Sequence, residues 1–111
     1  MARRKIVFAQ DQYYHIYNRG CNREDIFRTP ENYLYLLRLL GECRDNCPVA
    51  IIAYCLMPNH YHFLLRQESD TPLSILIQAI FNAYTKAFNK RYRRSGTLFE
   101  GPFEAIHVDK E

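Results

Sequence analysis

A chain of 111 residues, 48% apolar and 14% aromatic, can bury one core and is too short for two domains of ordinary size. Fifteen Lys and Arg against twelve Asp and Glu leave a net charge of only +3, which by itself does not select a polyanionic partner. No apolar run approaches a membrane span, and Ile6-Val7-Phe8-Ala9 is too short for the apolar core of an export signal, so the expected setting is cytoplasmic.

In chain order, Tyr13-Tyr14-His15-Ile16-Tyr17-Asn18 is aromatic and β-branched and stops at Arg19-Gly20, which predicts a first strand ending in a turn. The polar piece from Cys21 to Arg28 reads as a loop. Thr29-Pro30-Glu31 supplies an N-cap, a proline for the first helical position and an acidic first turn. Tyr33, Leu36, Leu37, Leu40 and Cys43 then recur at helical spacing to about residue 44. Pro48 through Leu56 carries apolar groups on both faces and reads as a central strand covered on both sides.

Pro58-Asn59 makes a turn, and His60 to Arg66 returns as the second strand of a hairpin. Thr71-Pro72 repeats the helix-start signal. Leu73, Leu76, Ile77, Ile80, Tyr84 and Phe88 form a core stripe, and Gln78, Asn82, Thr85, Asn89 and Arg93 a polar one. Ser95-Gly96 ends the helix, and Thr97 to Val108 holds at least one last strand. The order β, α, β, β, α, β predicts an α+β, ferredoxin-like split βαβ fold, an antiparallel sheet with two helices on one face.

His60 and His62 are the residues most suggestive of chemistry. Side chains two apart on a strand share a face, so both imidazoles can reach one ion while Tyr61 and Phe63 turn the other way. Without context, an ordinary pair of sheet histidines is the simpler reading.

Cys21, Cys43, Cys47 and Cys55 read as ordinary reduced thiols; Cys43 and Cys47 could reach one zinc ion, but no second pair has matching spacing. Charge is clustered: Arg3, Arg4 and Lys5 open the chain, and Lys86, Lys90, Arg91, Arg93 and Arg94 fall in one short stretch, which predicts a local basic surface. Asn82, Asn89, Tyr92 and Arg94 suit backbone contacts to a single strand, although such a cluster can equally be a solvated helix face.

Four blocks carry a family resemblance: Tyr14-His15-Ile16-Tyr17-Asn18-Arg19-Gly20, the Met57-to-Arg66 segment, Ala83-Tyr84 with Phe88-Asn89, and Gly96-Thr97-Leu98-Phe99-Glu100-Gly101. In order and spacing they resemble the HUH single-tyrosine transposases, especially the REP-associated branch, over about residues 12 to 108. The resemblance implies that His60 and His62 hold a divalent ion, Mg or Mn. It implies a single-stranded or hairpin DNA partner, with Asn18, Arg19, Lys86, Asn89, Lys90, Arg91, Arg93 and Arg94 as its contacts. It further implies DNA transposition and recombination, by tyrosine attack on a phosphate that leaves a 5′ phosphotyrosine and a free 3′ hydroxyl.

In the family the nucleophile and a third metal ligand lie in a helix after the last strand, in a segment resembling Tyr-Ile-x-x-Asn-Pro. The expectation is therefore one transposase-like domain over residues 1–111, truncated at its C-terminus, with its nucleophile beyond residue 111. Tyr92 and Tyr84 are the weak substitutes. Tyr84 sits on the core stripe, Tyr92 among cations at a helix end, and Tyr13 and Tyr17 share a strand face with His15.

Pro102 and Glu104 stand where family members often carry cations, a change that weakens DNA binding in a salt-dependent way. Two ligands alone bind Mg or Mn weakly, so an empty site is compatible with this reading. The other readings are a noncatalytic nucleic-acid binding remnant and a metal-free interaction module. If the sheet face of His60, His62 and Leu64 lacks its covering helix, a homodimer is expected.

Overall fold

His60–Gln67 (β3) alternates along its whole length between half-exposed and buried side chains, Tyr13–Arg19 (β1) does so from Tyr13 to Tyr17, and this alternation defines the architecture. In the computed structural model, which describes residues 6–43 and 48–109, the remaining elements are helix Pro30–Cys43 (α1), strand Val49–Met57 (β2), helix Leu73–Tyr92 (α2) and strand Glu104–Val108 (β4). The four strands form one sheet in the order β2-β3-β1-β4, with every pairing antiparallel. Among the described residues no helix is long and apolar enough to cross a membrane. Arg3, Arg4, Lys5 and Cys47 lie outside the described residues.

The core lies between one sheet face and the helices. Tyr14 and Ile16 of β1 and Tyr61, Phe63 and Leu65 of β3 point into it, and Leu73, Leu76, Ile77, Ile80, Tyr84 and Phe88 of α2 meet them. The predicted core stripe of α2 is thus the buried one. Tyr61 stacks on Phe81 with centroids 4.2 Å apart, which fixes α2 over the middle of the sheet.

Both helix starts are tied down by a buried side-chain amide. At α1, Pro30 takes the first position and buried Asn32 reaches back, its Oδ1 accepting from the backbone N–H of Arg28 at 2.7 Å and of Thr29 at 3.1 Å. At α2, Pro72 occupies the cap rather than the first helical position, and the N–H of Leu73 is satisfied by Oε1 of fully buried Gln67, 2.9 Å away. The other end of the Gln67 amide donates to the Ser69 carbonyl, so this buried amide has partners at both ends.

One expectation is corrected. The segment from Pro48 to Leu56 is not a central strand covered on both sides: β2 is an edge strand, and Ile52, Ala53, Tyr54 and Cys55 are exposed. The register jumps between Ile51 and Ala53, so Ile52 is the extra residue of a bulge and turns out at 49% exposure. Apolar groups on both faces here follow from a bulged edge, since the helices cover only one side of the sheet. The loop after β1 also contains a short 3-10 turn, Cys21–Arg23, inside what reads as irregular chain.

Candidate metal and nucleic-acid site

Because Tyr61 and Phe63 enter the core, His60 and His62 stand on the sheet face turned away from the helices. Their rings are 5.2 Å apart and nearly perpendicular. Each has a partner at Nδ1. For His60 it is Oδ1 of Asn59, at 2.8 Å in the preceding turn. A carbonyl oxygen only accepts, so His60 Nδ1 carries the proton, and in the neutral ring Nε2 is then the nitrogen with the lone pair. For His62 it is Nε2 of His15 on β1, at 2.9 Å. The Tyr17 ring lies against both, with centroids 4.9 Å from His15 and 5.7 Å from His62. Burial, and after it the neighbouring His15 and His60, hold the His62 imidazole below its ordinary pKa, which favours the neutral ring that binds metals.

A cleft of about 810 Å³ contains the pair together with Arg19, Arg23, Glu100 and Glu104. The chain closes this end through Gly20, whose N–H donates to the Asn59 carbonyl at 2.9 Å and which bridges to Phe99. The N–H of Glu100 in turn donates to the Arg19 carbonyl at 2.9 Å. Three segments distant in sequence, the end of β1, the β2–β3 turn and the loop before β4, are thereby held side by side.

Arg19 forms a two-pronged ion pair with Glu100, Nε to Oε1 and, at 3.2 Å, Nη2 to Oε2. The bonded guanidinium holds the Glu100 carboxyl below the usual carboxylate range. Glu104, the departure seen in the sequence, falls inside the same cleft, so two carboxylates offset its two arginines.

The donor set can be tested against a divalent ion. Among the described residues no group of three or more His, Cys, Asp or Glu is arranged to hold a metal, so the available protein donors are the His60–His62 pair. Neither Nε2 has a hydrogen-bond partner among the described residues. Two neutral imidazoles fit part of the shell of an ion such as Mn, whose remaining positions accept oxygen. They suit Mg less, because it prefers oxygen throughout.

The sequence-predicted DNA contacts divide by position. Lys86, Lys90, Arg91 and Arg93 are exposed on α2 and its end. Asn18 and Asn89 are committed to the chain itself, donating to the carbonyls of Gly101 at 2.9 Å and Gly96 at 3.0 Å. Arg94 spans Asn89 Oδ1 and the Thr97 carbonyl, which pins the loop after α2. Arg19 is held by Glu100.

Tyr84 is buried on the other side of the sheet from the histidines. Tyr92 lies at the end of α2 and donates to Asn32 Oδ1 at 3.2 Å. The structure also gives positions at the site to residues that the sequence left without a role. His15 and Asn59 brace the two histidines, Arg23 lines the cleft, and the Arg28 guanidinium lies 4.5 Å over the Tyr92 ring. The His15-x-Tyr17 alternation signalled their shared strand face; the pairing with His62 needed the β1–β3 register.

A family model described as "Transposase IS200 like" matches residues 8–111. No curated protein sequence matches the chain. Among solved structures, a REP-associated tyrosine transposase bound to a REP hairpin superposes with a TM-score of 0.80 at 15% identity, covering 100% of this chain and 64% of that one. A candidate transposase from Deinococcus radiodurans R1 superposes with a TM-score of 0.68 at 16% identity, covering 99% of this chain and 87% of that one. At these identities the structural likeness concerns the fold.

Proposed function

The chain belongs to the IS200-like transposase family, and on that premise we propose that it is a DNA-binding transposase domain that holds a divalent ion on His60 and His62 and takes single-stranded or hairpin DNA. The observation that carries the reading is the pair itself: two imidazoles on one open strand face, each hydrogen-bonded at Nδ1 and, among the described residues, without a hydrogen-bond partner at Nε2, in a cleft shared with Arg19 and Arg23. The fold neighbour bound to a REP hairpin supports the choice of nucleic acid.

When bound, the ion would be Mn or Mg and would polarise the scissile phosphate. The chain's own residues do the rest of the positioning. Asn59 and His15 orient the ligands. Lys86, Lys90, Arg91 and Arg93 supply exposed cations for the backbone, and Arg23 meets phosphate in the cleft. In the complete family reaction a tyrosine oxygen bonds to phosphorus, the bond to the 3′ oxygen breaks and that oxygen takes a proton; reversal rejoins the strand.

The free thiols Cys21, Cys43 and Cys55 agree with a reduced, cytoplasmic setting. The open sheet face supports pairing with a second copy; a monomeric mass at micromolar concentration removes that part of the reading.

The test incubates the protein with labelled single-stranded and hairpin DNA and Mn. Salt-sensitive binding is expected, with Mn binding that disappears on changing His60 and His62 together to Ala. A covalent adduct assigns strand cleavage to this chain. Binding that persists in the double variant, with no adduct and no Mn uptake by the unaltered protein, establishes the alternative, a noncatalytic DNA-binding remnant. Flat binding at low salt overturns both.

A further inference from the structure

His15 sits on the central strand β1, and its Nε2 meets His62 Nδ1 at 2.9 Å. The two rings are close to parallel, at 23°, with centroids 5.1 Å apart. Two neutral imidazoles joined in this way have two arrangements. In one, His62 Nδ1–H donates to His15 Nε2, and His62 Nε2 keeps its lone pair. In the other, His15 Nε2–H donates to His62 Nδ1, the His62 proton moves to Nε2, and the atom needed for a metal is blocked. His60 has no such ambiguity, because its partner is the acceptor-only oxygen of Asn59.

We propose that His15 is a positioning residue for the metal site: its Nε2 acts as the acceptor that fixes His62 in the Nδ1–H form and so presents His62 Nε2 to a divalent ion. The role is commonly filled by a carboxylate or a backbone carbonyl behind a ligating histidine. Among the described residues neither stands behind His62, and β1 supplies an imidazole. The cross-strand register requires this placement. His15 is paired with Leu64 and Tyr17 with His62, so His15 reaches His62 diagonally on one face while Tyr17 packs against both rings. The inference rests on the proposed metal site, but its first readout does not need a metal.

The experiment compares His15→Gln, whose side-chain oxygen can occupy the acceptor position, with His15→Phe, which keeps a ring and removes the acceptor. Nitrogen NMR of the His62 imidazole in the metal-free protein is expected to show protonated Nδ1 and bare Nε2 in the unaltered protein and in the Gln variant, and loss of that fixed form in the Phe variant. Mn affinity, followed by electron spin resonance, is expected to fall about 10–100-fold in the Phe variant and to recover in the Gln variant.

A His62 that carries its proton on Nε2 in the unaltered protein overturns the proposal. So does a Phe variant with the Nδ1–H form intact, or a Gln variant that loses as much as the Phe variant, which would make ring packing the operative contact. If the unaltered protein takes up no Mn, the metal reading fails by itself, while the NMR comparison still decides whether His15 sets the His62 proton.

Discussion

The hydroxyl of Tyr84 donates to the backbone carbonyl of Ile26 from inside the core, tying α2 to the loop that leads into α1. Burial pushes this phenol far above its ordinary pKa, which removes the phenolate a nucleophile needs. Changing Tyr84 to Phe strands the Ile26 carbonyl and is expected to cost about 1–3 kcal/mol in urea unfolding. DNA affinity measured on the folded fraction should not move. A variant of unchanged stability would show that the hydroxyl contributes nothing to the core.

How much of this was legible in the sequence follows from the range of each interaction. Periodicities of two and of three to four residues depend on near neighbours, so β1, α1, β3 and α2, and the core stripe containing Tyr84, could be read directly. The pair His60 and His62 is likewise a local signal. What escaped depends on register between distant segments. His15 braces His62 across 47 positions, and Arg19 meets Glu100 across 81. The bulge at Ile52 escaped for the same reason: a bulge is a mismatch between two strands, and β2 alone shows only apolar residues on both sides.

The ion pair of Arg19 with Glu100 competes with phosphate for the guanidinium. Replacing Glu100 by Gln is expected to strengthen single-stranded DNA binding and to steepen the dependence of log affinity on log salt by about 0.7 for one added phosphate contact. Replacing Arg19 by Gln should leave the slope of the unaltered protein nearly unchanged. Fluorescence anisotropy across a salt series decides it, and an unchanged slope for the Glu100 variant rules out Arg19 as a latent contact.

The same pair gives a pH dependence of defined sign. Its carboxyl lies below its ordinary value of 4.5 in the folded chain, so on acidification the unfolded chain takes up the proton first. The stabilisation is therefore complete above that ordinary value and is lost as pH falls through the lower folded value. The melting temperature of the unaltered protein should exceed that of Glu100→Gln by a small margin at pH 7, and the margin should close as the pH falls below the ordinary value of 4.5. A margin that stays constant as the pH falls well below 4.5 would assign it to packing instead of charge.

Arg93 ends α2 in the left-handed region, φ 53° and ψ 46°, a position that glycine occupies without strain. Arg93→Gly is expected to stabilise the fold by about 0.5–1 kcal/mol. It also deletes an exposed cation of the predicted DNA surface, so the salt slope should fall by about 0.7. Stability and DNA binding would then move in opposite directions in one variant. If both decline, the cap geometry is sustained by contacts of the arginine side chain.

Gly20 shows how closely the site depends on backbone packing. Its φ of −67° is open to any residue, so the requirement is space: an added Cβ would lie 2.1 Å from the Glu24 carbonyl oxygen and 3.1 Å from Cγ2 of Ile26. Neither neighbour yields cheaply, because the N–H groups of Ile26 and Phe27 both donate to the Pro58 carbonyl, at 2.7 and 3.1 Å. Gly20→Ala must therefore displace the loop after β1 together with the Pro58-Asn59 turn. The expected cost is about 1–3 kcal/mol of stability. The displacement also reaches Asn59, which fixes the proton on His60. Mn affinity of the folded fraction should fall as well, by less than in a variant lacking His60 itself. Ala83→Gly, on α2 and away from the cleft, serves as the comparison: it costs about 1 kcal/mol of helix stability and should leave Mn affinity intact. Equal Mn affinities for the two variants would show that the Gly20 junction supports the fold without aligning the histidines.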